Sequence, residues 1–406
     1  MRRSIGFLVL VAACLAGSQL WSQDWPQWRG ANRDDKSTET GLLKEWPKDG
    51  PPKLWSIAGL GSGYSAITVK DGRIYTMGTS GDKEAVFALD FNTGKVLWTA
   101  SSDDKIFEES RGNGPRCSPT TDDKYLYTEG AFGAVNCFEA ATGKPVWKVS
   151  LTKDLGGRVP QWGYTESPLV VGRALIVTPG GGKGGIAALD KITGRVIWQS
   201  AEVRTGAAYS SPILATIAGK KQIINGLAER LVGLDAETGK FLWDFTEPMA
   251  EISITTPIEH DGLVFASSSP NYKKGSGVAR ITPEGAQKVW YDKRFGNHHG
   301  GVVLVGDYLY GFFDDMRCVE LKTGKVVWQN PSVGKGSLTF ADGRFYCLSE
   351  KHMVALVEAT PDSYKETGRF KLGGSSQWSW SHPVVVGRRL FIRDQDALTC
   401  WDVKAK

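Results

Sequence analysis

A carboxylate, then Thr-Gly-Lys or Thr-Gly-Arg, then a short apolar strand carrying Trp recurs along this chain. It reads ALDFNTGKVLW from Ala88 to Trp98, FEAATGKPVW from Phe138 to Trp147, ALDKITGRVIW from Ala188 to Trp198, GLDAETGKFLW from Gly233 to Trp243 and VELKTGKVVW from Val319 to Trp328. Periods of roughly forty to fifty residues belong to repeat architectures, in which a unit buries its apolar face only by stacking on its neighbours. In each copy the acid stands four residues before the glycine, as Asp90 before Gly94, Glu139 before Gly143, Asp190 before Gly194, Asp235 before Gly239 and Glu320 before Gly324. A carboxylate there can accept N–H bonds across a bend whose positive φ the glycine supplies. The strand that follows alternates, with Phe241, Trp243 and Phe245 on one face and Leu242 and Asp244 on the other. Burying an indole removes about 150–250 Å² from water, at most about 4–6 kcal/mol per unit, so Trp98, Trp147, Trp198, Trp243, Trp290, Trp328 and Trp55 are expected to dock one unit on the next.

Upstream of each acid strand lies a hairpin, and eight are readable, with turns near Asp71, Asp122, Gly172, Gly219, Asp261, Gly306, Asp342 and Gly387. Hairpin, acid strand and Trp strand together make four antiparallel strands, the content of one propeller blade. The termini complement each other. Trp55, in PPKLWSI, lies on a Trp-type strand with no Thr-Gly turn before it, whereas LTCWDVK from Leu398 to Lys404 is an acid-type strand with no Trp strand after it. Residues 53–57 are therefore expected to complete the last blade, closing an all-β, eight-bladed β-propeller without a free edge. Two units depart from the pattern. Blade 5 has ITPEGAQKVW from Ile281 to Trp290 without the acid, and blade 7 has Phe370 or Leu372 where Trp would stand, which predicts looser joins there.

Residues 1–18 read as a secretory leader: Arg2 and Arg3, then an apolar run from Ile5 to Ala13 too short to span a bilayer. Val11-Ala12-Ala13-Cys14 resembles a bacterial lipobox that would lipidate Cys14, while Ala16-Gly17-Ser18 offers a small-residue cleavage site; both endings stay open. Either places the protein in the periplasm, on the outer membrane or outside the cell, touching membrane only through a lipid anchor. Residues 19–51, rich in Trp, Pro and charge without a period, are expected to form an extended strap, packed on the outside of the ring by Trp25, Trp28 and Trp46. A partner-binding arm is the sharper alternative. Residues 52–404 form the propeller. The net charge of +5 falls to about +3 without the two leader arginines and is spread along the chain, so nothing asks for nucleic acid. Cys117, Cys137, Cys318, Cys347 and Cys400 show no metal or haem spacing and mostly sit on strand patterns, as small buried hydrophobes do.

These repeats resemble the pyrroloquinoline-quinone-type propeller family, in which the same series is known as the tryptophan-docking motif, and DWPQWRGANRD is similar to the opening of secreted bacterial members. That scaffold is shared by quinoprotein dehydrogenases and by binding propellers such as the lipoprotein of the outer-membrane β-barrel assembly machine, so fold alone does not choose. The dehydrogenases' adjacent cysteine pair is missing, since no two Cys are neighbours, and no haem attachment site is present. The resemblance therefore implies a non-catalytic binding or assembly scaffold of the cell envelope, without cofactor. The alternative is a quinone-dependent dehydrogenase oxidising an alcohol or sugar with calcium. Partners would be envelope proteins, or an extracellular peptide or carbohydrate, bound by a monomeric propeller.

Any site should form where the loops leading into successive blades converge on the axis. These loops offer Arg116; Arg158, Trp162, Tyr164 and Glu166; Arg204 and Tyr209; Asn297, His298 and His299; and Trp378, Trp380 and His382. Arg and aromatic groups suit an anionic, ring-bearing or peptide ligand, although packing into a narrow channel explains many such residues equally well. His298 and His299, read as neighbours on a strand, would point to opposite faces and could not share one metal ion, so no metal is expected.

Overall fold

The Thr-Gly turns form as their chemistry requires. Gly94, Gly143, Gly194, Gly239 and Gly324 all have φ of 70–73°. Asp90 Oδ1 accepts the N–H groups of Asn92 and Thr93 and the Thr93 hydroxyl, and Asp190 and Asp235 repeat the arrangement. Glu139 and Glu320, one methylene longer, take the Thr142 and Thr323 hydroxyls. Each turn then receives the indole of the preceding unit. A Cβ added at Gly143 would lie 2.5 Å from Trp98, and the same holds for Gly94 under Trp55, Gly194 under Trp147, Gly239 under Trp198 and Gly324 under Trp290. The indole N–H completes the dock by donating to the carbonyl after the acid, as Trp98 to Ala140 at 3.2 Å, Trp147 to Lys191 at 3.1 Å and Trp290 to Leu321 at 2.7 Å.

In this computed structural model, which describes residues 24–269, 274–294 and 296–406, the strands form eight four-stranded antiparallel sheets arranged as an eight-bladed β-propeller. The proposed leader and Cys14 lie outside the described residues. Blades 1 to 7 take their strands in chain order, and their innermost strands follow one another around the axis, Thr68–Lys70 beside Thr120–Thr121 for example. Blade 8 is built from Val384–Val386, Arg389–Asp394 and Ala397–Asp402 with Lys53–Ile57 added outside, pairing Trp55 with Cys400 and Ile57 with Leu398. Both ends of the domain thus meet in one sheet, as expected. The core is a ring of eight apolar clusters, one at each join between blades. All five cysteines from Cys117 onward are unpaired and buried in these clusters.

Three expectations need correction. Trp55, Trp98, Trp147, Trp290 and Trp328 are only partly buried on the outermost strands, so each contributes less than full burial of an indole. The join into blade 5 is not loose: lacking a Thr-Gly turn to cover, Trp243 folds over Gly233 of its own blade and bonds Gln222 at 2.7 Å, while Phe245 and Met249 pack with Val264, Ala279 and Ile281. At the join of blades 7 and 8, Phe370 stands at the Trp position and is covered by Trp46 of the strap, their ring centroids 5.5 Å apart. Leu372 is buried in the same cluster.

Candidate functional site

The strap does not stay on the outside of the ring: residues 24–39 cross the axis and reach the starting strands of all eight blades, and residues 42–50 then run along the periphery of blades 7 and 8. Trp25 makes reciprocal 2.8 Å backbone bonds with Val69 of blade 1, and Pro26 O accepts Thr121 N of blade 2. The Arg33 guanidinium donates to the carbonyls of Ser167 and Pro212 at 2.9 Å and to that of Pro168, joining the starts of blades 3 and 4. Trp28 Nε1 donates to Thr256 Oγ1 of blade 5 at 3.1 Å, and Arg29 Nη2 to Val302 O of blade 6 at 2.5 Å. Asp35 and Ser37 pair with the backbone of Phe340 in blade 7, and Glu39 accepts Gly387 N and Arg388 N in blade 8. Only Trp46 of the three expected outer anchors packs at the periphery.

This path requires sharp bends. Arg29, Arg33 and Asp35 adopt φ of 61°, 56° and 53°, a region that costs a non-glycine residue on the order of 1 kcal/mol or more unless surrounding contacts hold it. They are held by a buried ionic knot. Asp35 Oδ2 meets Arg29 Nε at 2.8 Å and His382 Nδ1 at 3.0 Å, and His382 Nε2 faces His299 O at 3.2 Å. Burial lowers the Arg33 guanidinium to about 9, with Glu166 acting in the opposite direction.

Above the strap, the channel opens on the lead-in-loop face as a cavity of about 130 Å³. Trp28 forms its floor, tilted against His382 with ring centroids 4.4 Å apart. Tyr64, Trp380 and His299 make one wall in series, at centroid distances of 4.7 and 5.0 Å, and Trp162 with Tyr209 at 5.5 Å makes another. Arg116 is spent internally, bonding Glu109 at 3.0 Å and the carbonyls of Gly112 and Gly114. Burial depresses its basicity. Glu350 gathers Trp380 Nε1 at 3.2 Å and Lys335 Nζ at 3.6 Å.

Of the residues expected at a site, Arg116, Trp162, Tyr209, His298, His299, Trp380 and His382 converge on this cavity. The others do not. Tyr164 is core, its hydroxyl donating to Pro179 O at 2.8 Å. Glu166 is buried beside Asn225, with burial pushing it up to about 8. Arg158 and Arg204 are exposed, and Trp378 is 40% exposed away from the cavity. Asn297 is a buried structural amide bridging Thr255, Gly301 and Phe312.

The strand premise for the two histidines fails: they lie in a loop, and their Nδ1 atoms approach to 2.8 Å. Burial is the main reason His298 falls to about 3 and His299 well below the usual range, so both rings are neutral. Trp28, Arg29, Tyr64 and Arg111 were missed. Tyr64 precedes the first hairpin as the other lead-in residues precede theirs, which was a usable signal. Trp28 and Arg29 carried none, because their partners are blade atoms more than 200 residues away.

The cavity does not suit pyrroloquinoline quinone with calcium. It holds about one ring where the quinone has three.

Residues 82–330 match the family model described as outer membrane protein assembly factor BamB. The BamB of Burkholderia pseudomallei is 21% identical over 250 residues, covering 58% of this chain and 58% of that protein. Tetrathionate hydrolase of Acidithiobacillus ferrooxidans is 23% identical over 340 residues, covering 78% of this chain and 54% of that protein. The matched region therefore spans little more than half the length of these relatives. Among solved structures, BamB from Moraxella catarrhalis aligns with a TM-score of 0.65 at 17% identity, covering 87% of this chain and 99% of that one. Quinohemoprotein alcohol dehydrogenase from Comamonas testosteroni aligns with a TM-score of 0.67 at 14% identity, covering 94% and 81%. At these identities both likenesses speak for the fold alone.

Proposed function

This chain belongs to the family of the outer membrane protein assembly factor BamB, and from that membership we propose that it is an exported, non-catalytic propeller acting as a binding and assembly scaffold in a bacterial cell envelope. The observation that carries the reading is the strap. By closing the channel from below it leaves the protein with its outer edges and its lead-in-loop face as the large surfaces available to partners. Along those edges, pairs of aliphatic residues stay exposed on the outermost strands: Val96 and Leu97 in blade 1, Val196 and Ile197 in blade 3, Val326 and Val327 in blade 6. An apolar edge strand is a template for strand addition by a partner. Residues 1–18 would act as the export signal, with Cys14 as the lipid attachment point if the lipobox is used, and residues 19–51 as the internal strap of the propeller at 52–404.

The test is photo-crosslinking from position 97 or 197 in living cells, followed by capture from solubilised envelopes. A defined set of β-barrel assembly or other envelope proteins supports the scaffold. Repeated recovery of no specific partner overturns it. Reconstitution with the quinone and calcium is expected to yield no bound chromophore and no dye reduction with alcohols or sugars, and turnover would establish the enzymatic alternative.

A further inference from the structure

Independently of the scaffold reading, we propose that the cavity on the lead-in-loop face is a binding site for one small aromatic carboxylate, a single planar ring carrying its acid toward Arg111. The size of the cavity limits the ligand to one ring. An apolar cavity of about 150 Å³ holds one benzene, and this one, about 130 Å³ and open to solvent, takes a ring with its substituent at the mouth. The lining suits the same ligand. Two aromatic pairs line the space, Tyr64 with Trp380 and Trp162 with Tyr209, over the Trp28 floor, so a flat ring finds aromatic side chains to pack against.

Charge at the mouth favours an anion. Arg111 sits exposed at the mouth, 5.3 Å from the Trp162 ring, and among the described residues its guanidinium has no hydrogen bond and no ion pair. Arg116, one loop turn away, is saturated by Glu109 and two carbonyls. Glu350 is likewise engaged by Trp380 and Lys335. The available charge is therefore a planar fork already braced on an aromatic face, the geometry that recognises carboxylate in a bidentate way. A cation is disfavoured: Lys335 and Arg111 both oppose positive charge at His298, and the two histidines present neutral rings.

The experiment titrates the full-length protein with benzoate, with benzamide as its neutral isostere and with glucose, following tryptophan fluorescence and heat. Benzoate is expected to bind saturably and about tenfold or more tightly than benzamide, with glucose silent. Arg111→Gln should erase the difference between benzoate and benzamide while leaving the melting temperature unchanged, because Arg111 makes no side-chain bond. Trp162→Leu should weaken both ring ligands, by about tenfold. The proposal is overturned if benzoate shows no saturable binding by about 10 mM, if benzamide binds equally well, or if glucose binds in preference. It is equally overturned if Arg111→Gln, melting as the wild type does, keeps the preference for benzoate.

Discussion

Arg33→Leu tests whether the strap is part of the fold or merely lies in it. Arg33 is 3% exposed, and its guanidinium joins blades 2, 3 and 4 through Thr120 Oγ1, Ser167 O, Pro168 O and Pro212 O. Removing it leaves the buried carbonyls of Ser167 and Pro212 without a donor, at about 1–3 kcal/mol each, while Pro168 O keeps the Thr120 hydroxyl. The guanidinium's own desolvation, visible in its lowered basicity, returns part of that loss. A net cost of about 3–5 kcal/mol is the expectation for breaking a buried, hydrogen-bonded charge. For 406 residues, an unfolding entropy of about 2.1 cal/mol/K per residue gives roughly 0.85 kcal/mol/K, so the melting temperature should fall by about 4–6 °C. Thermal melts by circular dichroism, with the exposed Arg158→Leu as control, measure the shift. Hydrogen exchange at Trp25 and Val69 reports release of the strap directly, since each N–H bonds the other's carbonyl. Equal melting temperatures for wild type and Arg33→Leu, with Val69 still protected, would refute the reasoning.

The docking turns separate two costs of replacing glycine: Gly143→Ala meets Trp98 at 2.5 Å in addition to its φ of 72° and should cost about 2–4 kcal/mol, whereas Gly172→Ala, with φ of 59° and nothing within 4 Å, should cost about 1 kcal/mol in urea unfolding. Burial raises Glu166 from 4.5 to about 8, so the folded state keeps a proton that the unfolded chain releases. Its contribution is present below about pH 4.5 and lost as pH rises toward about 8, and Glu166→Gln should show a smaller drop in melting temperature across that window; parallel curves would contradict this. Cys117, Cys137, Cys318, Cys347 and Cys400 are buried and unpaired, with burial raising Cys117 well above an ordinary thiol, so a thiol reagent should find these five silent in the native protein and reactive on denaturation, a gain of five thiols whatever becomes of Cys14.

What the chain states locally, it states well. Thr-Gly turns, period-2 alternation and hairpin residues act between neighbours a few positions apart, so blade number, strand order and the closing of Lys53–Ile57 onto Ala397–Asp402 are legible in the sequence. Seven of the loop residues expected at a site also converge, because every lead-in loop ends at the same face of the ring. Tyr164, Glu166 and Trp378 fall elsewhere because residue type and loop membership do not set which way a side chain turns.

The course of the strap belongs to the tertiary structure alone. Arg33 is held by backbone carbonyls of Ser167, Pro168 and Pro212, and Arg29 by that of Val302; a carbonyl is the same group in every residue, so no pattern of letters announces it as a partner. The same holds for the meeting of His298 and His299, whose rings converge because a loop, rather than a strand, carries them. The sequence by itself determined the ring, through short-range turn and packing chemistry repeated along the chain. Only the tertiary structure decided that the ring's axis is closed from below by its own N-terminal segment and open above as a one-ring cavity, because that depends on acceptors which eight separate blades bring to one line.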